Sequence, residues 1–374
     1  MPKITGMENL KSAHQNAKHG KSKYKQVQWV DDHLDECLEA LQKSLKDGTY
    51  QTSKYSIFTK IDKDKERLIS SLPYYPDRIT HWAIMLVIED IMLKTMITQS
   101  CAALPKRGGH YALLLETRYL TEHPEETKYC LKLDVKKFFQ NIDKDILLNI
   151  LSRKFQDKEL LKLLEELIYS YELSGIPIGN YVSQYFANIY LTYFDHYVKE
   201  VLHVKYYVRY MDDMVIFSNS KDELRALYER IDDYLRNNLE LEIKSNYQIF
   251  PVDTRGVDFV GYRHFRSYVL LRNSTAKKFK KVTTNILKKG YVDDHDYASV
   301  NSYMGILNWC NSNRLRRKYL DPIKPMIVSY EKSHNITHKN KKGAKKNAVI
   351  QACKKYRRTC QINRDYSNFS VCTA

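Results

Sequence analysis

Asp212 and Asp213 stand side by side in an otherwise apolar and aromatic stretch, Tyr206-Tyr-Val-Arg-Tyr-Met-Asp-Asp-Met-Val-Ile-Phe217. Strand-forming side chains on both sides of a two-residue break predict a hairpin with the acids at its turn. That turn lacks the Asn-Gly or Asp-Gly that would make it comfortable. Adjacent carboxylates there repel each other and lose hydration, so a compensating charge is expected. A divalent cation is the simplest, because hard cations take carboxylate oxygens. An exposed turn with merely solvated acids is the plainer alternative. A second acid favours the cation. In Tyr129-Cys-Leu-Lys-Leu-Asp-Val-Lys-Lys-Phe-Phe139, Cys130 and Lys132 alternate with Leu131 and Leu133, and the strand ends in Asp134. Acids delivered by two strands can bracket two metal ions roughly 4 Å apart, one activating an attacking hydroxyl and one steadying a leaving pyrophosphate. Phosphoryl transfer asks little else of a protein beyond positioning and charge stabilisation.

The elements that must hold these acids follow from periodicity. Residues 1–25 are polar and Lys-rich, an arm or short helix. Residues 27–47 carry Val27, Trp29, Val30, Leu34, Cys37, Leu38, Leu41 and Leu45 at helical spacing and stop at Gly48. Residues 51–61 read as a strand pair, and Leu72-Pro-Tyr-Tyr-Pro-Asp-Arg78 as a rigid turn whose Asp77 caps the next helix. That helix, 79–98, is apolar enough to be buried. Helices are expected over 144–155, 157–172, 185–202 and 221–239, with Asn180 or Ser183 capping the third. Strands are expected at Leu241–Lys244 and at Val257–Tyr262, the latter kinked at Gly261 and followed by His264–Leu271. From Lys277 the chain turns helical and basic, with a second helix at Ala298–Tyr319.

Lys and Arg exceed Asp and Glu by 17 in 374 residues. A surplus of that size argues for a polyanionic partner bound more weakly as salt rises. The 30 tyrosines include rings that could stack on unpaired bases, although most are expected to be ordinary half-buried residues. Residues 331–374 hold 11 Lys/Arg against two acids, Glu331 and Asp365, which reads as a nucleic-acid contact or a solubilising tail. Seven scattered cysteines without a Cys-x-x-Cys pair argue against zinc and disulfides and for a reducing cytoplasm. No signal peptide and no 18-residue apolar run is visible, so no membrane is expected.

The order of the Asp134 strand, the Gly175–Gln184 helix start, Tyr210-Met-Asp-Asp213, Lys244 and Val257–Tyr262 resembles the palm of a reverse transcriptase. The resemblance covers residues 25–320 and implies an α+β right-hand polymerase: an N-terminal basic arm (1–25), fingers and palm (26–272), a helical thumb (273–330) and a basic tail (331–374). It implies Asp134, Asp212 and Asp213 as ligands of two Mg²⁺ ions, with Mn²⁺ a possible substitute, and Val135 as a backbone-carbonyl ligand. Phe139 corresponds to the gate that clashes with a ribose 2′-OH and favours dNTPs. Lys106 and Arg107 correspond to the basic element on the incoming phosphates. Lys244 corresponds to the lysine that protonates pyrophosphate. Phe259, Val260, Gly261 and Tyr262 correspond to the primer grip. The implied partners are template RNA, an RNA–DNA hybrid and dNTPs.

One departure narrows the resemblance. Most of the family has Gln-Gly-x-x-x-Ser-Pro where this chain has Ile178-Gly-Asn-Tyr-Val-Ser-Gln184. Ile178 in place of Gln and Gln184 in place of Pro, beside Gly179, is similar to the reverse transcriptases of diversity-generating retroelements. Those copy template RNA with errors at adenines, and some work with a small basic accessory protein. Retron-like or phage-defence enzymes of the same lineage, and a palm-derived RNA-binding protein without activity, are the alternatives. Retron Asn-Ala-x-x-His and Val-Thr-Gly signatures are absent, and no RNase H, maturase or endonuclease module is expected after the thumb. The intact acid triad speaks against the inactive alternative.

Overall fold

The computed structural model describes residues 1–62 and 65–336, together with Val349, Gln351 and Cys353. The basic tail expected over 331–374 therefore lies largely outside the described residues. The chain forms two compact units: residues 1–105, 133–205 and 227–247, and residues 106–132, 206–226 and 248–374.

The first unit is mostly helical. The helix Met7–Ala17 buries Leu10, Ala13, His14 and Ala17, so the lysine-rich arm begins as a packed element, against the helix Ile79–Thr95. The helix expected over 27–47 is two, Lys25–Asp32 and Leu34–Lys46, parted at His33. Trp29 falls on the outer face of the first and is 53% exposed, stacked on His33. The strand pair is shifted along the chain: β1 (Ser56–Asp62) pairs antiparallel with β2 (Lys65–Ser71). Ile79–Thr95 buries Ile84, Met85, Ile88 and Met92, while Ile91 is exposed. Asp77 does not cap it. Its Oδ1 accepts from Tyr50 Oη and Ser53 N, tying down the segment that leads to β1. Asp143 and Asp157 do cap the helices Lys144–Ser152 and Lys158–Tyr169, by accepting from N–H groups three residues on.

The second unit is built on two sheets. β3 (Tyr129–Asp134), β4 (Tyr206–Tyr210), β5 (Asp213–Ser218) and β6 (Gln248–Pro251) form one sheet in the order β4-β5-β3-β6. The first four residues of β3 belong to this unit. Leu241–Lys244, expected as a strand, makes only an isolated bridge, Val135 to Ile243. The edge strand beside β3 is β6, paired from Tyr129↔Pro251 to Lys132↔Gln248. Val257–Tyr262 is not one kinked strand. β7 (Val257–Phe259) and β8 (Tyr262–Phe265) turn sharply through Val260 and Gly261, both at positive φ, and β9 (Tyr268–Leu271) completes a second sheet. Helices Asn273–Lys289, Asp294–Leu307 and Lys324–Ser333 follow. Phe279, Ile286, Leu307 and Ile323 share an apolar cluster with Tyr262, Val269, Val349 and Cys353.

Among the described residues, five cysteines are buried and free: Cys37 and Cys101 in the first unit, Cys130, Cys310 and Cys353 in the second. Burial pushes the Cys130 thiol well above its ordinary range and Cys310 up to about 11. Among the described residues, no helix is long and apolar enough to cross a membrane.

Candidate active site

In the second unit, the hairpin has the two-residue turn the sequence indicates, shifted by one position. Tyr210 pairs with Asp213, so Met211 and Asp212 form the turn and Asp213 opens β5. Such a two-residue loop needs a left-handed first residue, and Met211 takes φ +58. That conformation costs roughly 1 kcal/mol or more outside glycine. Arg209 helps to hold it: its fully buried guanidinium donates from Nη1 to the Met211 carbonyl at 3.0 Å. Lys132, on the neighbouring strand β3, places Nζ 3.5 Å from Asp213 Oδ2. Neither basic residue was singled out from the sequence. Lys132 was within reach, because the alternation that puts Cys130 and Lys132 on one face also puts Asp134 there.

Lys132 Nζ also donates to the carbonyl of Asp258 in β7. The Phe259–Tyr262 turn thus belongs to the unit that carries Asp212 and Asp213. Phe259 and Tyr262 are buried, and Val260 and Gly261 are half-exposed at the tip. Tyr262 Oη donates to the Ile306 carbonyl and pairs with His110, which stacks on Trp309 at 4.2 Å. Burial raises the Tyr262 hydroxyl pKa and lowers that of His110. Lys106, exposed, and Arg107 lie just before the helix Gly109–Glu122 in this same unit. A Cβ on Gly109 would stand 3.7 Å from Val260 Cβ, so the basic pair is close to the hairpin tip.

In the first unit, Asp134 closes β3 and meets Lys244 twice. Lys244 N donates to the Asp134 carbonyl at 2.9 Å, and its ammonium bonds Asp134 Oδ1. The carboxylate is 37% exposed and the ammonium 31%. Val135 is buried and bridged to Ile243, and Lys136 N donates to Glu242 O. These bonds lock the chain's exit from β3. Phe139, half-exposed, follows in a single 3₁₀ turn, Phe138–Gln140. Gly175 packs on that turn so closely that a Cβ would lie 2.1 Å from the Phe139 carbonyl, and Ile176 N bonds that carbonyl at 2.8 Å.

The corner at Ile178 is held by the β1–β2 ribbon. Ser70 N donates to the Ile178 carbonyl at 2.9 Å, and Gly179, at φ +127, lies against the Ser70 carbonyl. The helix begins at Tyr181, four residues earlier than expected. Asn180 occupies its cap position, but its amide donates to Tyr55 Oη instead of accepting from the helix. Ser183 is buried inside the first turn, and Gln184 is exposed, its carbonyl accepting from Asn188.

Asp293, His295 and Asp296 are also close enough to one another to hold a cation. Asp293 is already the cap of its helix, and the Lys289 ammonium bonds both aspartates. That cluster is accounted for as a helix start.

Comparison with known proteins shows what the chain is like. It is 23% identical over 324 residues to "Group II intron-encoded protein LtrA" of Lactococcus lactis subsp. cremoris, covering 67% of this chain and 53% of that protein. It is 23% identical over 241 residues to "Protein YkfC" of Escherichia coli (strain K12), covering 52% of this chain and 62% of the other. The chain thus spans about half the length of the first of these curated relatives. A telomerase structure from Candida albicans aligns at 12% identity and a TM-score of 0.46, covering 82% of this chain and 64% of that one. The family described as "Reverse transcriptase (RNA-dependent DNA polymerase)" matches residues 58–264, more than half of the chain. The chain, a mix of helices and antiparallel sheets, belongs to the reverse transcriptase family.

Proposed function

We propose that the chain copies a template RNA into DNA by nucleotidyl transfer, with Asp134, Asp212 and Asp213 as its catalytic acids. The observation that carries this is the hairpin of the second unit: Asp212 lies in its two-residue turn, Asp213 opens β5, and Lys132 Nζ stands 3.5 Å from Asp213 Oδ2. The donor set fits Mg²⁺, or Mn²⁺ in its place, since all three side chains are hard carboxylate donors. The lysines beside Asp134 and Asp213 mark carboxylates that need a cation's charge. Bound Mg²⁺ would supply Lewis-acid activation of a primer hydroxyl and neutralise charge on the triphosphate.

The chain's own residues do the rest. Lys244 holds Asp134 in place and is the proton donor for departing pyrophosphate. Phe139, fixed by Gly175, excludes a ribose 2′-OH. The Phe259–Tyr262 turn seats the primer, and Lys106 and Arg107 bind phosphate. Val135, locked by its bridge to Ile243, supports the Asp134 end of β3. A small basic accessory protein is a candidate partner.

Ile178 and Gln184 support the further reading that the chain is an error-prone enzyme of the diversity-generating retroelement type. A Gln at position 178 would offer a hydrogen bond that rewards correct pairing, and Ile178 offers none. Incorporation of dTTP on poly(rA)–oligo(dT) tests the polymerase reading: the intact chain should be active and Asp212→Ala inactive. Equal activity in both would refute it. Sequencing the products of Ile178→Gln tests the subtype. Errors at template adenines should fall, and an unchanged error spectrum would rule the mechanism out.

A further inference from the structure

The second unit contains a cavity of about 380 Å³ whose lining includes none of the candidate catalytic or nucleotide-binding residues. Three stretches enclose it: the end of β9, the first half of the helix Asn273–Lys289, and residues 310–319. The last of these is fastened to β9 as an added strand would be. Asn311 N donates to the Val269 carbonyl, and Asn311 Oδ1 accepts from Val269 N. A volume of this size belongs to small-ligand sites, which run from roughly 300 to 1,000 Å³.

The floor is apolar. Leu271 and Cys310 are buried, Ala276 and Leu315 are half-buried, and Leu270 is left 40% exposed at the edge. The Cys310 thiol and the Ser312 hydroxyl both donate to the Leu307 carbonyl, and Ser312 also accepts from Arg316 Nε. These polar atoms are engaged within the protein and leave the floor to apolar contact. An apolar body seated there would be taken out of water, which is favourable in proportion to the area covered.

The rim is cationic. Lys280, Arg314 and Lys318 line the cavity, and no aspartate or glutamate does. Lys280 and Lys318 reach the same ring, their ammonium groups 5.4 and 5.6 Å from the centre of Tyr319. Among the described residues, none of the three has an acidic partner. Asp321, three residues beyond Lys318, pairs with Lys324 at 2.7 Å instead. Three cations gathered at one mouth without a counter-charge favour an anion there.

We infer that this cavity binds a small amphiphilic anion, its apolar body on the leucine floor and its carboxylate among Lys280, Arg314 and Lys318. A phosphate backbone answers the rim alone, because it brings no apolar body to fill the floor. The inference uses none of the catalytic acids and stands apart from the polymerase reading.

A decanoate analogue carrying a diazirine, photolysed on the full-length chain below its micelle concentration and followed by peptide mapping, reads the site directly. Label is expected on residues 270–280 and 310–319. Free decanoate should displace it, and shorter carboxylates should lose affinity roughly fourfold per methylene. Decanol should compete about tenfold more weakly than decanoate, the loss of one charge-assisted contact. Lys280→Glu and Lys318→Glu should each cut labelling at sub-saturating probe by a similar factor, and Ala276→Phe, which fills the cavity, should abolish it. Lys318 is exposed, so Lys318→Glu carries the test even where Ala276→Phe weakens the fold. Asp212→Ala should keep the label while losing dTTP incorporation, which separates failure here from failure of the polymerase reading. Label that spreads over other peptides, that decanol removes as well as decanoate does, that only an oligonucleotide displaces, or that is indifferent to Lys318→Glu overturns the inference.

Discussion

Replacing Gly175 by alanine should disturb the candidate gate through backbone contact alone. The added Cβ would sit 2.1 Å from the Phe139 carbonyl and 2.6 Å from the Gln140 carbonyl carbon. Both obstacles are backbone, so no side chain can swing away. The φ of +74 adds about 1–2 kcal/mol for a residue with a Cβ, and forced overpacking adds about 1–3 kcal/mol. A loss near 3 kcal/mol corresponds to a fall of roughly 6–12 °C for a unit of about 200 residues. Gly48 also has positive φ, +66, with nothing within 4 Å of its Cβ position. Gly48→Ala therefore isolates the conformational part, and its melting temperature should fall less than half as far. The Phe139 turn must yield in Gly175→Ala, so preference for dTTP over UTP on poly(rA)–oligo(dT) should weaken, whereas Gly48→Ala should leave it intact. Equal destabilisation by the two variants would refute the steric argument. Unchanged sugar discrimination in a destabilised Gly175→Ala would refute the coupling of Gly175 to Phe139.

Other residues give independent tests. Lys244→Ala should reduce dTTP incorporation by about 10²–10⁴-fold, the usual contribution of a positioned acid. Because both partners are about a third exposed, stability should change by under about 1 kcal/mol, and a melting curve checks this. Arg266→Ala should cost about 3–5 kcal/mol in chemical denaturation. It removes an almost fully buried guanidinium bonded to Leu120 O, Thr127 O, Thr127 Oγ1 and Asp253. His264 gives a pH signature. Burial opposes its charge, but Glu116, 3.4 Å away, lifts its pKa from 6.5 to about 9. Its contribution, at most about 3 kcal/mol, is complete below pH 6.5 and lost as pH rises through 9. The melting temperature should therefore drop between these values, and His264→Gln should flatten the drop.

How much of this was legible in the sequence depended on whether the signal was local. The Asp212–Asp213 hairpin and the Asp134 strand were visible because alternation and strand-forming types sit next to the acids. The register was not, since a methionine gives no local signal for a left-handed turn, and the Arg209 bond to its carbonyl forms only once the hairpin is folded. Leu241–Lys244 looks like a strand by composition, yet β6 takes the place beside β3. Pairing partners are set by tertiary packing, which a four-residue pattern does not encode. Trp29 matched a helical stripe, but the break at His33 leaves it facing outward. Lys244 was found through family resemblance, and its contact with Asp134 spans 110 positions. Arg78 shares a cavity with Lys21, Lys23 and Lys25, cations from two stretches of chain, 21–25 and 78, which no short window of sequence brings together.

The buried cysteines turn the chain into its own opening sensor. Cys37 and Cys101 report on one unit, and Cys130, Cys310 and Cys353 on the other. With Cys360 and Cys372 replaced by serine, an alkylating reagent would modify each remaining thiol only when its surroundings come apart. Mass spectrometry of the labelled peptides would then rank the two units by how readily each lets solvent in.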